Sequence, residues 1–412
     1  MKKKKIKKGP DIPSDLEEKI VSGLRSGQKL LGEDGILTDL VQRVVNAALD
    51  GEASAHVDES RSQGSKNRRN GHTQKTVKSD VGPLSISTPR DRVGSYEPQL
   101  IGKWQRDLGT GVADQILRLY ARGLSNRDIK SELYDLYGLE YATGSISNVI
   151  DRVSSEIVAW QNRPLLSFYT VIFLDAIHYK VRVNGKVVRQ AVYTVYGIDH
   201  EGNRDVLSLS IHPSEGAMQW GRILEDLVSR GIEDVLFFCV DGLKGFSEAI
   251  EEVFPHAIVQ QCIVHKVRSS TRFVSDKDMK AICRDLRLIY TAPSVEDAQL
   301  ALEAFEQKWD GKYPKVSKAW REDWAELVSF LDFKQHIRRM IYTTNSVEAL
   351  HRLMRKVTKS KGAWTNEQSL IKQLYLTLQH NPKSWNRKVF HWSAIQRDLD
   401  KHFGERFTKW FD

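Results

Sequence analysis

Asp175 interrupts the apolar run VIFLDAIHYKVRV, and Asp241 closes the run DVLFFCVDG. Both acids sit in segments that read as strands, where a carboxylate is out of place unless it has a partner. Two carboxylates brought to one site either share a proton or share a cation. No Cys/His cluster lies beside them, so hard oxygen ligands point to Mg²⁺ rather than zinc. A third acid, Glu348, is the lone carboxylate in FKQHIRRMIYTTNSVEALHRLMRKVTKSKGAW, residues 333–364. Each acid also has a plainer reading. Asp241-Gly242 makes a turn, and Asp175 can bond a backbone N–H at a strand end. Asn345-x-x-Glu348 fits a capping box, and an acid there also suits the helix dipole.

The segment after Glu348 favours more than a cap. Glu348, Arg352, Arg355 and Lys359 are spaced by 4, 3 and 4, so they share one helical stripe. Val347, Leu350, Met354 and Val357 form the neighbouring apolar stripe that would pack on a sheet. A cationic stripe leading away from one acid suits a phosphate backbone passing a metal ligand.

These residues need elements to position them. VIFLDAIHYKVRV and VVRQAVYTVYGID alternate with period two around Asn184-Gly185, a strong hairpin signal. RDVLSLSI supplies a third strand. A helix (EGAMQWGRILEDLVSRG), a strand (DVLFFCVDG), a helix (GFSEAIEEVF) and a strand (AIVQQCIVH) follow. The order β-β-β-α-β-α-β predicts a mixed sheet covered by helices, an α/β fold. In that order the first and fourth strands are expected side by side, which brings Asp175 and Asp241 to one edge. Residues 266–340 read as helical throughout. Cys262 and His265 sit at ligand spacing, but a zinc site needs four ligands, so zinc is not expected. Their plain reading is a buried Cys and a satisfied His at a strand-to-helix junction.

Upstream, residues 14–50 read as helices, 52–75 as a polar linker, and TVKSDVGPLSISTPRDRVGSYEPQLI as two short strands about a turn. Residues 112–156 hold three amphipathic helices. The second is capped at Ser125 with Asp128 three residues on, and the third begins near Thr143. Its first turns present Ser145, Ser147, Asn148 and Arg152, polar groups able to reach base edges in a major groove. A helix-turn-helix and a plain helical bundle both fit this stretch.

The 412 residues carry a net charge of +9, a balance that favours an anionic partner such as nucleic acid. Three dispersed cysteines exclude a disulfide framework and point to a reducing compartment. No run approaches a membrane span, and the Lys-rich opening is followed by no apolar segment. A soluble, cytoplasmic protein with a solvated basic tip is expected.

Taken together, LDAIHYKVR, SEGAMQWG, CVDGLKGFSEAIEEVFP, QQCIVHKVR and IYTTNSVEALHRLMRKVTKSKGAW resemble the bacterial Mutator-type insertion-sequence transposases. RRNGHTQKTV, TPRDRVGSYEPQLI and EIVAWQNRPL fit the same family, and the resemblance runs from about residue 40 to 380 in unbroken order. It implies a ribonuclease-H-like catalytic domain with an Asp-Asp-Glu triad at Asp175, Asp241 and Glu348, 66 and 107 residues apart. The long second gap implies an all-α insertion. Cys262 and His265 match the family's Cys-x-x-His, which would set His265 at the edge of the active site.

The implied organisation is a tail, helices and linker over 1–75, then a β element with a helix-turn-helix-like DNA-binding region over 76–165. A catalytic core follows over 166–265, with a helical insertion at 266–340, the Glu348 helix at 341–385 and a tail at 386–412. The implied activity is Mg²⁺-dependent cleavage and joining of double-stranded DNA, with Mn²⁺ able to substitute. Its DNA partners would be the element's terminal inverted repeats and a target. Assembly as a homodimer or higher and a place at the bacterial nucleoid are implied too. The competing readings are a nuclease of the same fold that does not join strands, and a catalytically idle DNA-binding derivative.

Overall fold

Val45, Leu49, Ala53 and Val57 recur every four residues, and all four are buried. That spacing carries one helix through nearly half of the expected linker, as far as Ser62. The computed structural model describes residues 14–411 apart from 109–110, 138, 214–215, 243–244, 273, 343–344 and 360, and leaves out the side chains of 14–16, 107–108, 217 and 345–346. The Lys-rich opening lies outside the described residues. The chain divides into two compact units, residues 1–152 and 153–412.

In the first unit, α1 (Ser14–Arg25) precedes α2 (Ile36–Ser62). Strands β1 (Arg69–Ser79) and β2 (Gly82–Asp91) pair antiparallel, and β3 (Asp107–Leu108) joins β1 in parallel, for the order β2-β1-β3. The reading of 52–75 as a linker is therefore corrected: only 63–68 connect helix to strand. The helix is hidden in the sequence because its inner face uses small, sparse apolar residues. The outer half of β1 is hidden because it is exposed and lacks alternation. Val77, Leu84 and Ile86 pack against Val45 and Leu49 of α2.

Next come α3 (Gly111–Ala121), α4 (Asn126–Tyr137) and α5 (Thr143–Asp151). Ser125 caps α4 as expected: its Oγ accepts from the Asp128 N–H at 3.2 Å, and Asp128 Oδ2 accepts from the Ser125 N–H at 3.0 Å. Ser125→Ala should lower stability by about 1 kcal/mol, read as a shift of the denaturant midpoint at unchanged slope. Recovery in Ser125→Asp would tie that loss to the cap. An unshifted midpoint in Ser125→Ala would show the cap is not needed.

In the second unit, α6 (Val153–Gln161) leads to β4 (Phe168–Val183), β5 (Lys186–Ile198) and β6 (Arg204–His212). The third upstream helix, expected to run unbroken from 143, is thus two helices parted at Arg152. Asn184 (φ 49°) and Gly185 (φ 78°) turn β4 into β5 with both residues left-handed, as a type I′ hairpin requires. Then come α7 (Ala217–Ser229), β7 (Asp234–Val240), α8 (Phe246–Val253) and β8 (Ile258–Gln261). The sheet order is β6-β5-β4-β7-β8, with β7 parallel to β4 and β8 parallel to β7. The expected mixed sheet is present, and its first and fourth strands are neighbours.

The last strand is shorter than AIVQQCIVH suggests. It ends at Gln261, and Cys262 is the N-cap of α9 (Ile263–Thr271). Helices α10 (Asp276–Tyr290), α11 (Val295–Trp309), α12 (Pro314–Glu322), α13 (Trp324–Val328) and α14 (Gln335–Ile341) follow. They and the turn after α13 place Leu286, Trp320 and Phe330 in one cluster with Phe173 and Phe237 of the sheet. Helix α15 (Asn345–Thr358) and α16 (Glu367–His380) return to the sheet. Successive residues of β4 face opposite layers: Val171 and Phe173 meet the α15 side, while Ile172 and Leu174 meet Trp220 and Phe246.

After the short α17 (Pro382–Trp385), residues 386–412 are not a tail. Helices α18 (Trp392–Phe403) and α19 (Glu405–Thr408) bury Ile395, Leu399 and Phe407 in the same cluster. Arg406 grips Asp234 at the start of β7 through Nη2 at 2.8 Å and Nε at 3.0 Å.

Candidate active site

Leu174 of β4 lies opposite Val240, the last residue of β7, and the next residue in the chain is in each case an acid, Asp175 within β4 and Asp241 just past β7. The apolar residues before them fix the register, so the two carboxylates emerge side by side. Helix α15 supplies the third. Its Val347, Leu350 and Met354 are fully buried, and this anchoring turns Glu348 toward the two aspartates. Asp175, Asp241 and Glu348 line one cleft of about 440 Å³ with His178, His265, Arg268, His351, Arg352 and Arg355.

Burial dominates the electrostatics. It raises the Asp175 carboxyl to about 7; His265 opposes the shift, and the charges of Asp241 and Glu348 add to it. Asp241 is also raised, again by burial first, with His265 opposing. Its Oδ1 is buried without a hydrogen-bond partner among the described residues. Asp175 Oδ1 accepts from the Ala176 N–H at 2.8 Å, the backbone bond the plain reading of that residue supposes.

Glu348 accepts from Arg268 Nη1 at 2.7 Å and lies 3.9 Å from His265 Nε2. The capping-box alternative rests on the Asn345 side chain, which lies outside the described residues. His265 is pushed up to about 9, chiefly through its hydrogen-bonding contact with the Cys262 sulfur and against its own burial; Asp175 and Asp241 add to the rise. It is therefore a cation at neutral pH. Cys262 itself is buried beneath it.

Sequence reasoning missed three of these residues. His351 is buried, with Nδ1 3.4 Å from Asp175 Oδ2 and Nε2 3.1 Å from Thr194 Oγ1. Burial above all, helped by Arg355 and His265, pulls its pKa down to about 3, so the ring is neutral. Thr194 faces Asp175 across the β4–β5 ladder, so His351 ties the Glu348 helix to the strand that carries Asp175. Its position three residues past Glu348 is the available signal. Arg268 has a similar one, three residues past His265. His178 has none.

Of the cationic stripe, Arg352 and Arg355 reach the cleft, while Lys359 is exposed beyond its lining residues. On α5 in the first unit, Ser145 is exposed and Ser147 is half-buried, while Ile146 and Ile150 pack inward. Asn148 is exposed further along the same helix, and Arg152 is exposed just past its end.

The sequence pattern described as Transposase, Mutator family, matches residues 16–388. The chain belongs to the Mutator family of transposases. It is 40% identical over 398 residues to a probable transposase for the insertion sequence element ISRM3-like of Sinorhizobium fredii, covering 96% of this chain and 99% of that one. Identity and coverage are the same for the transposase of insertion sequence element ISRM3 from Rhizobium meliloti. Among solved structures, the Drosophila P element transposase strand transfer complex is similar over 72% of this chain and 87% of that one. Identity there is 11% with a TM-score of 0.30, an overlap too loose to carry a structural argument.

Among the described residues of this transposase, no three His, Cys, Asp or Glu side chains stand close enough to enclose a metal ion as placed. The donors still suit one. All three acids offer hard oxygens, Asp241 Oδ1 lacks a partner among the described residues, and a cation would relieve the repulsion that raises Asp175. The Arg268 ion pair is what occupies Glu348 instead. Among the described residues, no helix is long and apolar enough to cross a membrane.

Proposed function

We propose that this transposase is an Asp-Asp-Glu enzyme on a ribonuclease-H-like sheet, cleaving the ends of its element and joining them to target DNA. The observation that carries the reading is the cleft shared by Asp175 of β4, Asp241 just past the neighbouring parallel strand β7, and Glu348 of α15. These three carboxylates are the catalytic and metal-holding residues. Mg²⁺, or Mn²⁺ in its place, would supply Lewis-acid stabilisation of the reacting phosphodiester and a lowered pKa for the attacking hydroxyl.

The chain's own groups do the rest. Arg352, Arg355 and Lys359 run from the cleft along one side of α15 and hold the DNA backbone as point charges and forks. His265, cationic and seated on Cys262, offsets the crowded carboxylates at the edge of the site. His351 keeps the Glu348 helix in register with Asp175 and, being neutral, adds no charge. Ser145, Ser147, Asn148 and Arg152 of the α5 segment read the terminal inverted repeats, because a helix N-terminal turn of this polarity fits a major groove. Within the DNA-binding region 76–165, residues 112–156 thus serve end recognition, and the sheet with its helical additions serves chemistry. Cleavage and joining of two ends call for a homodimer or larger assembly. A cytoplasmic, nucleoid-associated setting follows from the substrate.

Full-length protein incubated with Mg²⁺, a pre-cleaved element end and a target plasmid should yield covalently joined product. Hydrolysis of the duplex without joining would make the protein a nuclease. Binding of end DNA with neither reaction would make it an idle derivative.

A further inference from the structure

Residues 61–106 carry ten Lys or Arg and three Asp or Glu, a net +7 within a chain whose total is +9. The excess is not spread evenly. Arg69 lies opposite Asp91 where β1 meets β2, and the Arg92 N–H donates to the Arg68 carbonyl at 2.7 Å, so the ladder continues one pair further. Arg68 therefore stands directly across from Arg92.

Side chains alternate faces along a strand. Asp91 is buried, and Arg69 turns toward α2 to pair with Asp50. Arg68, Arg90 and Arg92 consequently share the opposite, solvent-facing side, and all three are exposed. None of them makes a side-chain hydrogen bond or ion pair among the described residues. Like charges directly across a ladder are destabilising. Three unpaired guanidinium groups held this way call for an anion from outside the protein.

The backbone beneath them is braced. Asn67 and Asp91 are buried, and Asn67 Nδ2 donates to Asp91 Oδ2 at 2.9 Å. Asn67 Oδ1 accepts from the Arg68 N–H at 2.9 Å and the Val93 N–H at 3.3 Å. Asp91 Oδ2 accepts from the Ser95 N–H at 3.0 Å and Ser95 Oγ at 2.8 Å. Both ends of the arginine pair are thus fixed by buried polar groups, which lowers the ordering cost of binding.

We propose that Arg68, Arg90 and Arg92 form a backbone-gripping surface for duplex DNA, separate from the cleft and from α5. The phosphates of one strand supply the missing counter-charge. Such contacts position the duplex and carry no sequence information. The proposal rests on the reading of the chain as a DNA transposase.

The test is duplex binding by the full-length chain across a salt series, comparing wild type with Arg68→Gln/Arg90→Gln/Arg92→Gln. Each lost phosphate contact removes about 0.9 from the slope of log K against log salt, so the triple variant should lose roughly 2–3. Its preference for element ends over unrelated duplex should be unchanged. Its thermal midpoint should hold or rise, since the cross-strand repulsion is gone. Each single variant should lose about 1 from the slope, so an unfolded triple variant would not spoil the measurement. A wild-type slope in the variants, or a loss of end preference, overturns the proposal alone. Failure of wild type to bind any duplex overturns the transposase reading and this proposal with it.

Discussion

Glu348→Gln is expected to abolish strand cleavage and strand transfer while leaving the fold and end binding intact. The amide keeps the length of the side chain and can still accept from Arg268, so the contact across the cleft is weakened rather than lost. Arg268 is 61% exposed, and an ion pair so open to water is worth at most about 1 kcal/mol. Loss of an acid from the first turn of α15 costs roughly 0.3–1 kcal/mol through the helix dipole. The protein should therefore fold with nearly unchanged stability.

On the proposed mechanism, activity depends on a different property, the charge that would help hold a divalent cation against the reacting phosphate. Its removal should cost on the order of 10²–10³-fold or more in rate. Asp175→Asn and Asp241→Asn should match it, and combining them should add little, because the three act as a unit. The measurement is joining of a pre-cleaved end in Mg²⁺, with gel-shift binding of the same DNA as the control. Near-wild-type joining by Glu348→Gln would leave Glu348 as an ion-pair partner and helix cap only, and the third ligand would have to be another residue.

How much of this is legible in the sequence varies with the range of the interaction involved. The β4–β5 hairpin is open to view because Asn184-Gly185 is a local signal, and both residues do take positive φ. The Ser125 cap is equally local. The strand order that pairs Asp175 with Asp241 follows from the succession of elements. Helix α2 reads as too short because Ala53 and Val57 continue its buried stripe with little hydrophobic weight. Helix α18 reads as a tail although Trp392, Ile395 and Leu399 are spaced by 3 and 4. That signal is present and its covering partner is not, since the cluster it joins is assembled from distant segments. Arg268 meets Glu348 across 80 residues, and no spacing rule spans such a gap. His351 can be placed on the right face of its helix, but its near-complete burial against Thr194 exists only once β5 is in place.

The crowding that suits these carboxylates to a cation should make the metal-free protein less stable than a variant lacking one of them. Burial first, then the neighbouring acids, raises the Asp175 carboxyl to about 7, well above its ordinary value of 3.8. A carboxyl raised by folding favours the folded state while protonated. Its contribution is fully present below pH 4 and is lost as pH rises through 7. Asn resembles the protonated acid in shape and can still accept from the Ala176 N–H, but it never ionises. In chelator-treated protein, the stability of Asp175→Asn relative to wild type should rise by roughly 2–4 kcal/mol between pH 5 and pH 8.5, because each pH unit between 5 and 7 costs the ionising acid about 1.4 kcal/mol. Mg²⁺ should then raise the melting temperature of wild type at pH 8.5 more than that of the variant, because a tighter-bound ligand stabilises more at the same concentration. Denaturant melts at the two pH values, each with and without Mg²⁺, measure all four states. A relative stability unchanged between the two pH values would mean that Asp175 is ionised at pH 8.5 without strain. The gain in stability should come in the same variant that loses strand transfer, since one buried charge is responsible for both.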